Sequence, residues 1–366
     1  MILLDSAWAL PMAGLGIGAV IGYVARRNHF CTMSALERHW YAGDSNGLRS
    51  WVLAAAVALT LTQVMQFLGW IDLSRSFYLT EPLPIAGAII GGVMFGFGMA
   101  LVGTCGFGAI IRLGGGSMRA LVVLTGIALA ALAAQRGLLG HLRVATIDPL
   151  SVDLKGVGGQ SAGALLSHLA GIDITLPVAA AIAAGLFYWI FRDRRFRGDR
   201  EKMASGIVIG TGIAAGWFVT SGFATRLFQP VQIEAGSFVM PLGDTMLQII
   251  TVTGALPDYG VGLVAGVLIG AMARAWYSKD IRWEACDDAR ELSRHLVGAF
   301  LMGTGGVFAL GCTIGQGVSA VSVMALSEPI AMLSIAFGAR MGLSYLLEGS
   351  PFAFMRDHGE RSQPAE

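Results

Sequence analysis

Long apolar stretches make up most of the chain, and short polar segments separate them. A helix needs about 20 mainly apolar residues to cross a bilayer. Nine stretches meet this requirement and predict membrane spans: 8–25, 51–70, 84–103, 118–135, 174–191, 204–221, 257–275, 294–311 and 327–347. The pattern therefore predicts an all-α polytopic membrane protein, with about nine transmembrane helices and short or broken helices between them.

The composition excludes an ordinary soluble domain. Of 366 residues, 55% are hydrophobic and 13% are charged, whereas soluble domains carry about 25% charged residues. The formal net charge of +1 gives no indication of a nucleic-acid partner. The basic run 191–202 is interpreted as a solvated loop, and the first apolar stretch as a span and not a cleaved signal peptide.

The distribution of basic residues predicts the orientation. With the N-terminus outside, 19 of the 25 Lys and Arg residues fall in inner segments and 5 in outer ones. The positive-inside rule expects this asymmetry. We therefore expect a periplasmic N-terminus and a cytoplasmic C-terminus.

We expect residues 1–350 to form one transport domain with halves near 1–173 and 174–350, and residues 351–366 to form a disordered cytoplasmic tail. The long outer stretches 136–173 and 222–256 predict surface or partly inserted helices.

An internal repeat relates two glycine-rich segments. GGVMFGFGMALVGTCGFGAI (91–110) aligns with GAFLMGTGGVFALGCTIGQG (298–317) at an offset of 207 residues, with four glycines and one cysteine identical. The copies fall on the third and the eighth predicted spans, whose numbers differ by an odd number, so the copies run in opposite directions. This pattern is typical of an inverted repeat with a pseudo-twofold axis, whose solute site lies at the repeat interface near the midplane.

Glycine density within the repeat predicts broken helices. Glycine costs about 1 kcal/mol in a helix interior, and both 103–108 and 311–317 hold three. Close helix packing is the alternative, and it accounts well for Gly87, Gly91 and Gly92. A broken backbone at membrane depth survives only when it is buried in protein or lines a cavity. We therefore expect the two segments to line a solute pathway.

Three cysteines carry the candidate chemistry. Cys105 and Cys312 lie at the predicted breaks, and Cys31 follows the first span; each has a threonine neighbour. NHFCT (28–32) is echoed weakly by SGFAT (221–225), where Ala224 replaces the cysteine. A buried neutral thiol is a weak donor on a soft atom, which suits a solute with a sulfur or selenium end. Free N–H groups at a helix restart favour anions.

The alternative for any single cysteine is a small buried hydrophobe. Cys286 lies in a charged segment outside the repeat and is predicted to be a bystander. The candidate pathway residues are Cys31, Thr104, Cys105, Gly106, Gly108, Cys312, Thr313, Gly315 and Gln316. We expect no metal site and no cofactor.

These motifs, together with NHFC (28–31), resemble those of the YeeE/YedE family of sulfur-transport membrane proteins. The resemblance covers most of the chain and is strongest over 303–322 and 96–117. It implies thiosulfate uptake across the bacterial inner membrane, through three cysteine thiols in series that fall on Cys31, Cys105 and Cys312. It also implies an hourglass-shaped fold and a small cytoplasmic TusA-like sulfurtransferase as partner.

Two other functions compete with transport of a sulfur anion. A membrane sulfurtransferase acting through a cysteine persulfide needs a thiol near a base, and of the three pathway cysteines Cys31 has His29 close in the sequence. A permease for a selenium compound or a soft metal would also use thiols. We expect a transporter and not an enzyme, and no nucleotide-binding loop indicates a primary pump.

Overall fold

A computed structural model describes residues 8–79, 82–154, 160–225, 231–251, 257–286 and 288–354. Its helices are α1 Ala9–Arg27, α2 Thr32–Tyr41, α3 Asn46–Phe67, α4 Ile85–Val102, α5 Gly106–Gly114, α6 Met118–Arg136, α7 Leu138–Thr146, α8 Ala162–Ala170, α9 Thr175–Phe191, α10 Arg194–Gly198, α11 Arg200–Ala224, α12 Val239–Ile250, α13 Tyr259–Tyr277, α14 Ala289–Phe308 and α15 Ser327–Glu348. A π-helix covers Gly315–Ala320, and short 3-10 helices cover Phe77–Leu79 and Asp148–Leu150. Strands β1 Pro82–Leu83 and β2 Val152–Asp153 pair antiparallel.

The helices confirm an all-α polytopic membrane protein. Among the described residues, seven helical stretches are long and apolar enough to cross a membrane, and α1 with α2 and α4 with α5 each count as one stretch. The other two predicted spans fall on α9, which has 17 residues, and on α14, whose first two turns carry charged residues. Hydropathy alone therefore supports seven spans, and nine remains the prediction.

The two copies of the repeat pack against each other through α4 and α14. A Cβ on Gly98 would lie 2.5 Å from the Gly298 carbonyl oxygen, and a Cβ on Gly305 would lie 2.6 Å from the Gly91 carbonyl oxygen. In the repeat, Gly91 corresponds to Gly298 and Gly98 to Gly305. Each contact is the image of the other, so α4 and α14 run antiparallel about a local two-fold axis.

Other helix contacts follow the same two-fold axis. Across it, α1 corresponds to α11, α3 to α13, α4 to α14 and α6 to α15. Helix α1 packs on α13 as α11 packs on α3, and α4 packs on α15 as α14 packs on α6. The short helix α5 contacts α6 and α13, and the π-helix contacts α15 and α3 in the corresponding way. The pairing of α1 with α11 agrees with the echo of NHFCT in SGFAT.

Glycines allow α1 and α13 to approach closely. Gly14, Gly18 and Gly22 recur at every fourth position of α1, facing the backbone of α13. Their Cβ atoms would lie 2.2–2.3 Å from carbonyl oxygens of α13. Small residues at this spacing are the usual basis of tight helix pairs in membranes. This parallel pair anchors the segment that carries Cys31.

The outer stretches fold as short elements. Residues 136–173 contain α7, β2 and α8. Residues 222–256 contain α12, and the segment 233–238 before it is buried. The predicted tail is described only as far as residue 354, so most of it lies outside the described residues.

Gly18→Ala is expected to destabilise the α1–α13 contact, because its Cβ would lie 2.3 Å from the Leu263 carbonyl oxygen. Overpacking of this kind costs about 1–3 kcal/mol. The measurement is the thermal midpoint of the purified protein in detergent. Gly16→Ala on the same helix is the matched control, since a Cβ there meets nothing within 4 Å. Equal midpoints for the two variants would contradict the close-packing role.

Candidate functional site

Both copies of the repeat break their helix with the same backbone conformation. Helix α4 ends at Gly103, whose φ of 75° is left-handed, and the equivalent residue of the second copy, Leu310, has a φ of 56°. Glycine adopts this region freely, whereas an L-residue pays about 1–2 kcal/mol. Leu310 therefore holds a strained conformation that the surrounding packing maintains, as expected at a functional turn.

A cysteine begins the new helix after each break. The Cys105 Sγ accepts a hydrogen bond from the Gly108 N–H at 3.5 Å, and the Cys312 Sγ accepts one from the Gly315 N–H at 3.5 Å. Each thiol therefore caps a helix N-terminus that would otherwise leave buried N–H groups without an acceptor. Sulfur is a weak acceptor. An anion that reaches the N-terminus of either new helix therefore meets N–H groups that are only weakly hydrogen-bonded.

Cys31 lies against the first break. It precedes α2, and its Sγ lies 3.8 Å from the Thr104 Oγ1. A Cβ on Gly108 would lie 2.2 Å from that hydroxyl oxygen and 3.6 Å from the Cys31 Sγ. Gly108 is thus required where Thr104 and Cys31 meet.

The second break joins the same cluster. The Thr32 hydroxyl, next to Cys31, donates to the Thr313 Oγ1 at 3.3 Å, and the Thr313 hydroxyl also faces the Cys105 thiol. Cys105 directly follows Thr104, which the Cys31 Sγ approaches, and Cys312 directly precedes Thr313. The structure thus brings Cys31, Cys105 and Cys312 into one neighbourhood, although 281 residues separate the first from the last.

The remaining candidate residues differ in where they point. A Cβ on Gly315 would face the Tyr78 and Ser237 side chains, whereas one on Gly106 would face Leu242 and Ile127, in apolar packing away from the thiols. The Gln316 amide donates to the Ala309 carbonyl oxygen across the second break. Gln316 thus stabilises the turn before Cys312.

Cys31 opens onto basic cavities, whereas Cys105 and Cys312 are completely buried. One cavity of about 350 Å³ is lined by Cys31, Thr104 and Gly108 together with Arg26, His29, Arg38 and Arg112. A neighbouring cavity of about 480 Å³ shares Arg26, Thr104 and Arg112 and adds Arg119, Arg282, Arg294 and His295. Acidic side chains pair with part of this charge: Arg26 with Asp280 at 3.4 Å and Arg119 with Glu291 at 2.6 Å.

Several side chains that no sequence pattern indicates lie near the cysteines. The Phe107 ring, beside Cys105, packs edge-on against Phe30 and at 4.8 Å between centroids against Phe238. Tyr78 and Ser237 reach the second break from outer loops. Loop residues show no hydrophobic periodicity. The one indication in the sequence that Tyr78 is buried is the apolar character of FYL (77–79).

Cys286, the predicted bystander, is partly exposed and lies on the inner segment that crosses the α5–α6 turn. Across the described ranges, no group of three or more His, Cys, Asp or Glu side chains is arranged to hold a metal ion. Hydroxyls, backbone N–H groups and aromatic rings surround Cys31, Cys105 and Cys312.

One buried acid, Glu234, lies in the segment between α11 and α12. Burial raises the pKa of the Glu234 carboxyl to about 8, and the negative charges of Asp258 and Asp244 act in the same direction. Arg136 pairs with Asp244 at 3.0 Å. Glu234 therefore holds its proton at neutral pH and adds no negative charge there.

Comparisons with known proteins identify the family of the chain. The profile of the family described as Sulphur transport matches residues 27–341. The chain is 26% identical to the thiosulfate transporter TsuA of Spirochaeta thermophila over 338 residues, covering 89% of this chain and 96% of that protein. It is also 26% identical to the thiosulfate transporter TsuA of Escherichia coli over 357 residues, covering 90% of this chain and 93% of that protein.

Glu234 predicts a pH dependence of stability. An unfolded glutamate releases its proton near pH 4.5, whereas the folded protein retains it until pH about 8. The stabilisation is complete below pH 4.5 and is lost as the pH rises through about 8. We expect Glu234→Gln to remove this decline in the thermal midpoint in detergent between pH 5 and 8. The exposed Glu37→Gln is the control, and an unchanged decline in Glu234→Gln would contradict the assignment.

Proposed function

The chain belongs to the Sulphur transport family, and we propose that it takes up thiosulfate, or a closely related small sulfur anion, across the bacterial inner membrane. The observation that carries the proposal is the meeting of Cys31, Cys105 and Cys312 where two broken helices converge. Three soft, neutral thiols beside helix N-termini match an anion with a sulfur end.

The proposed path runs from Cys312 past Cys105 to Cys31. Cys312 adjoins the loop of Tyr78, on the side predicted to be periplasmic. Cys31 opens onto the basic cavities, on the side predicted to be cytoplasmic. Neutral contacts inside allow the anion to leave each position, because conduction requires sites that bind weakly enough to release. The arginines then attract the anion toward the inner mouth.

The partner and the topology belong to the same proposal. The N-terminus lies in the periplasm and the C-terminus in the cytoplasm, following the distribution of basic residues. A cytoplasmic TusA-like sulfurtransferase would receive the solute at the mouth beside Cys31. The transporter itself makes no covalent bond to the solute.

A sulfurtransferase remains the second candidate because His29 and Cys31 line the same cavities. In that reaction the Cys31 thiolate would attack the terminal sulfur of thiosulfate, form a persulfide and release sulfite. Such chemistry requires only Cys31, whereas a path requires all three cysteines.

Cys31→Ala, Cys105→Ala and Cys312→Ala are each expected to lower the rate of radiolabelled thiosulfate uptake into proteoliposomes by at least about tenfold, a loss of about 1.4 kcal/mol. The reason is that the three thiols are successive contacts for the solute along the proposed path, so the loss of one interrupts the path. The replaced volume is small, so folding should tolerate each change, and membrane abundance is measured alongside.

Cys286→Ser is the matched control, and its uptake should stay near the wild-type rate. Retained uptake in all three alanine variants would refute the cysteine path. Loss confined to Cys31→Ala, with a persulfide on Cys31 of the wild type detected by mass spectrometry, would favour the sulfurtransferase.

A further inference from the structure

Two hydroxyls converge beside Cys312 from segments outside the repeat. The site that a Cβ on Gly315 would occupy lies 2.8 Å from the Tyr78 hydroxyl oxygen and 3.2 Å from the Ser237 Oγ. Tyr78 belongs to the 3-10 helix after α3, and Ser237 to the buried segment before α12. A side chain at position 315 would therefore collide with the Tyr78 hydroxyl, and glycine is required there.

Within the described part of the chain, neither hydroxyl makes a hydrogen bond of normal geometry, and the one polar side chain that faces each of them is the other. Both side chains are nearly inaccessible, with Tyr78 2% and Ser237 3% exposed. Buried polar groups in proteins are almost always paired, and each exception requires an explanation. Two unpaired hydroxyls directed at one spot indicate a ligand with hydrogen-bonding oxygens.

The surroundings of that spot add donors that carry no charge. The backbone N–H groups of Gly315, Ile314 and Phe238 lie around the Cys312 thiol. The ionisable groups that act on the Tyr78 hydroxyl are this thiol and Glu234, which keeps its proton at neutral pH. The site therefore offers O–H and N–H donors next to one soft sulfur.

We propose that Tyr78 and Ser237 form an oxyanion subsite that holds the oxygen end of the solute while its sulfur end meets Cys312. This subsite rests on the proposed function and adds the group that recognises oxygen. It selects small sulfur oxyanions over sulfur species that lack oxygen, because a site built to hydrogen-bond oxygen rejects ligands without it.

Ring packing of Tyr78 is separable from its hydroxyl. The centroid of its ring lies 4.0 Å from that of Phe77, and the ring packs edge-on against Trp217. Tyr78→Phe keeps these contacts and removes only an oxygen that makes no hydrogen bond of normal geometry within the described part of the chain. A purely structural tyrosine would therefore tolerate this change.

The test is radiolabelled thiosulfate uptake by full-length protein in proteoliposomes, with KM and maximal rate measured separately. We expect Tyr78→Phe and Ser237→Ala each to raise KM about tenfold, the effect of one lost hydrogen bond to a charged ligand. The thiosulfate concentration needed to raise the thermal midpoint should increase by the same factor. The matched control is Tyr259→Phe, whose buried hydroxyl also has no partner in the described chain but faces Gly216.

Unchanged KM in both variants, with normal wild-type uptake, would overturn the subsite and leave the proposed function intact. An equal rise in Tyr259→Phe would also overturn it, because the effect would then be general. Absence of uptake and of thermal stabilisation in the wild type would instead refute the proposed function.

Discussion

The fold depends on one constraint, which is that backbone N–H and C=O groups at membrane depth must find partners within the protein. The two helix breaks violate the simplest solution, a continuous helix. They persist because each new helix begins at a cysteine whose sulfur accepts the Gly108 or Gly315 N–H, and because close packing between α4 and α14 encloses them. The same N–H groups that need this protection are the donors that the proposed anion site would use, so burial and the proposed function depend on the same atoms.

Symmetry explains how the breaks meet, and the departures from symmetry explain how the path gains a direction. Gly103 and Leu310 share a left-handed φ although only one is glycine, so the packing of the second copy holds a conformation that its sequence disfavours. Cys31 has Ala224 as its counterpart in the echo of the first site. The basic cavities lie beside Cys31, whereas Tyr78 and Ser237 lie beside Cys312. A two-fold scaffold thus carries different groups at its two ends.

Much of this architecture could be predicted because it depends on local pattern. Hydropathy located the helices, and the spacing of glycines around Cys105 and Cys312 revealed the repeat and both breaks. The sequence could not predict whether Gly106 faces the thiols or Leu242, because the position of a residue within a single helix turn decides between the two. Tyr78 and Ser237 were missed for another reason: both lie in irregular segments, where the sequence has no period and long-range packing alone sets which side chains reach the site.

The separation of charge from the two buried thiols, those of Cys105 and Cys312, is itself a physical requirement. A unit charge at 4 Å from an anion contributes about 4 kcal/mol at an effective dielectric constant of 20, and a dianion would double this attraction. A neutral hydrogen bond contributes about 0.5–1.5 kcal/mol net. An arginine at the level of Cys105 would therefore trap the solute that it recognises. The arginines instead line the cavities around Cys31, where solvent screening and acidic partners such as Asp280 weaken them. In the proposed path, screened attraction at an open mouth and weak neutral contacts within the narrow part together allow selective binding and release.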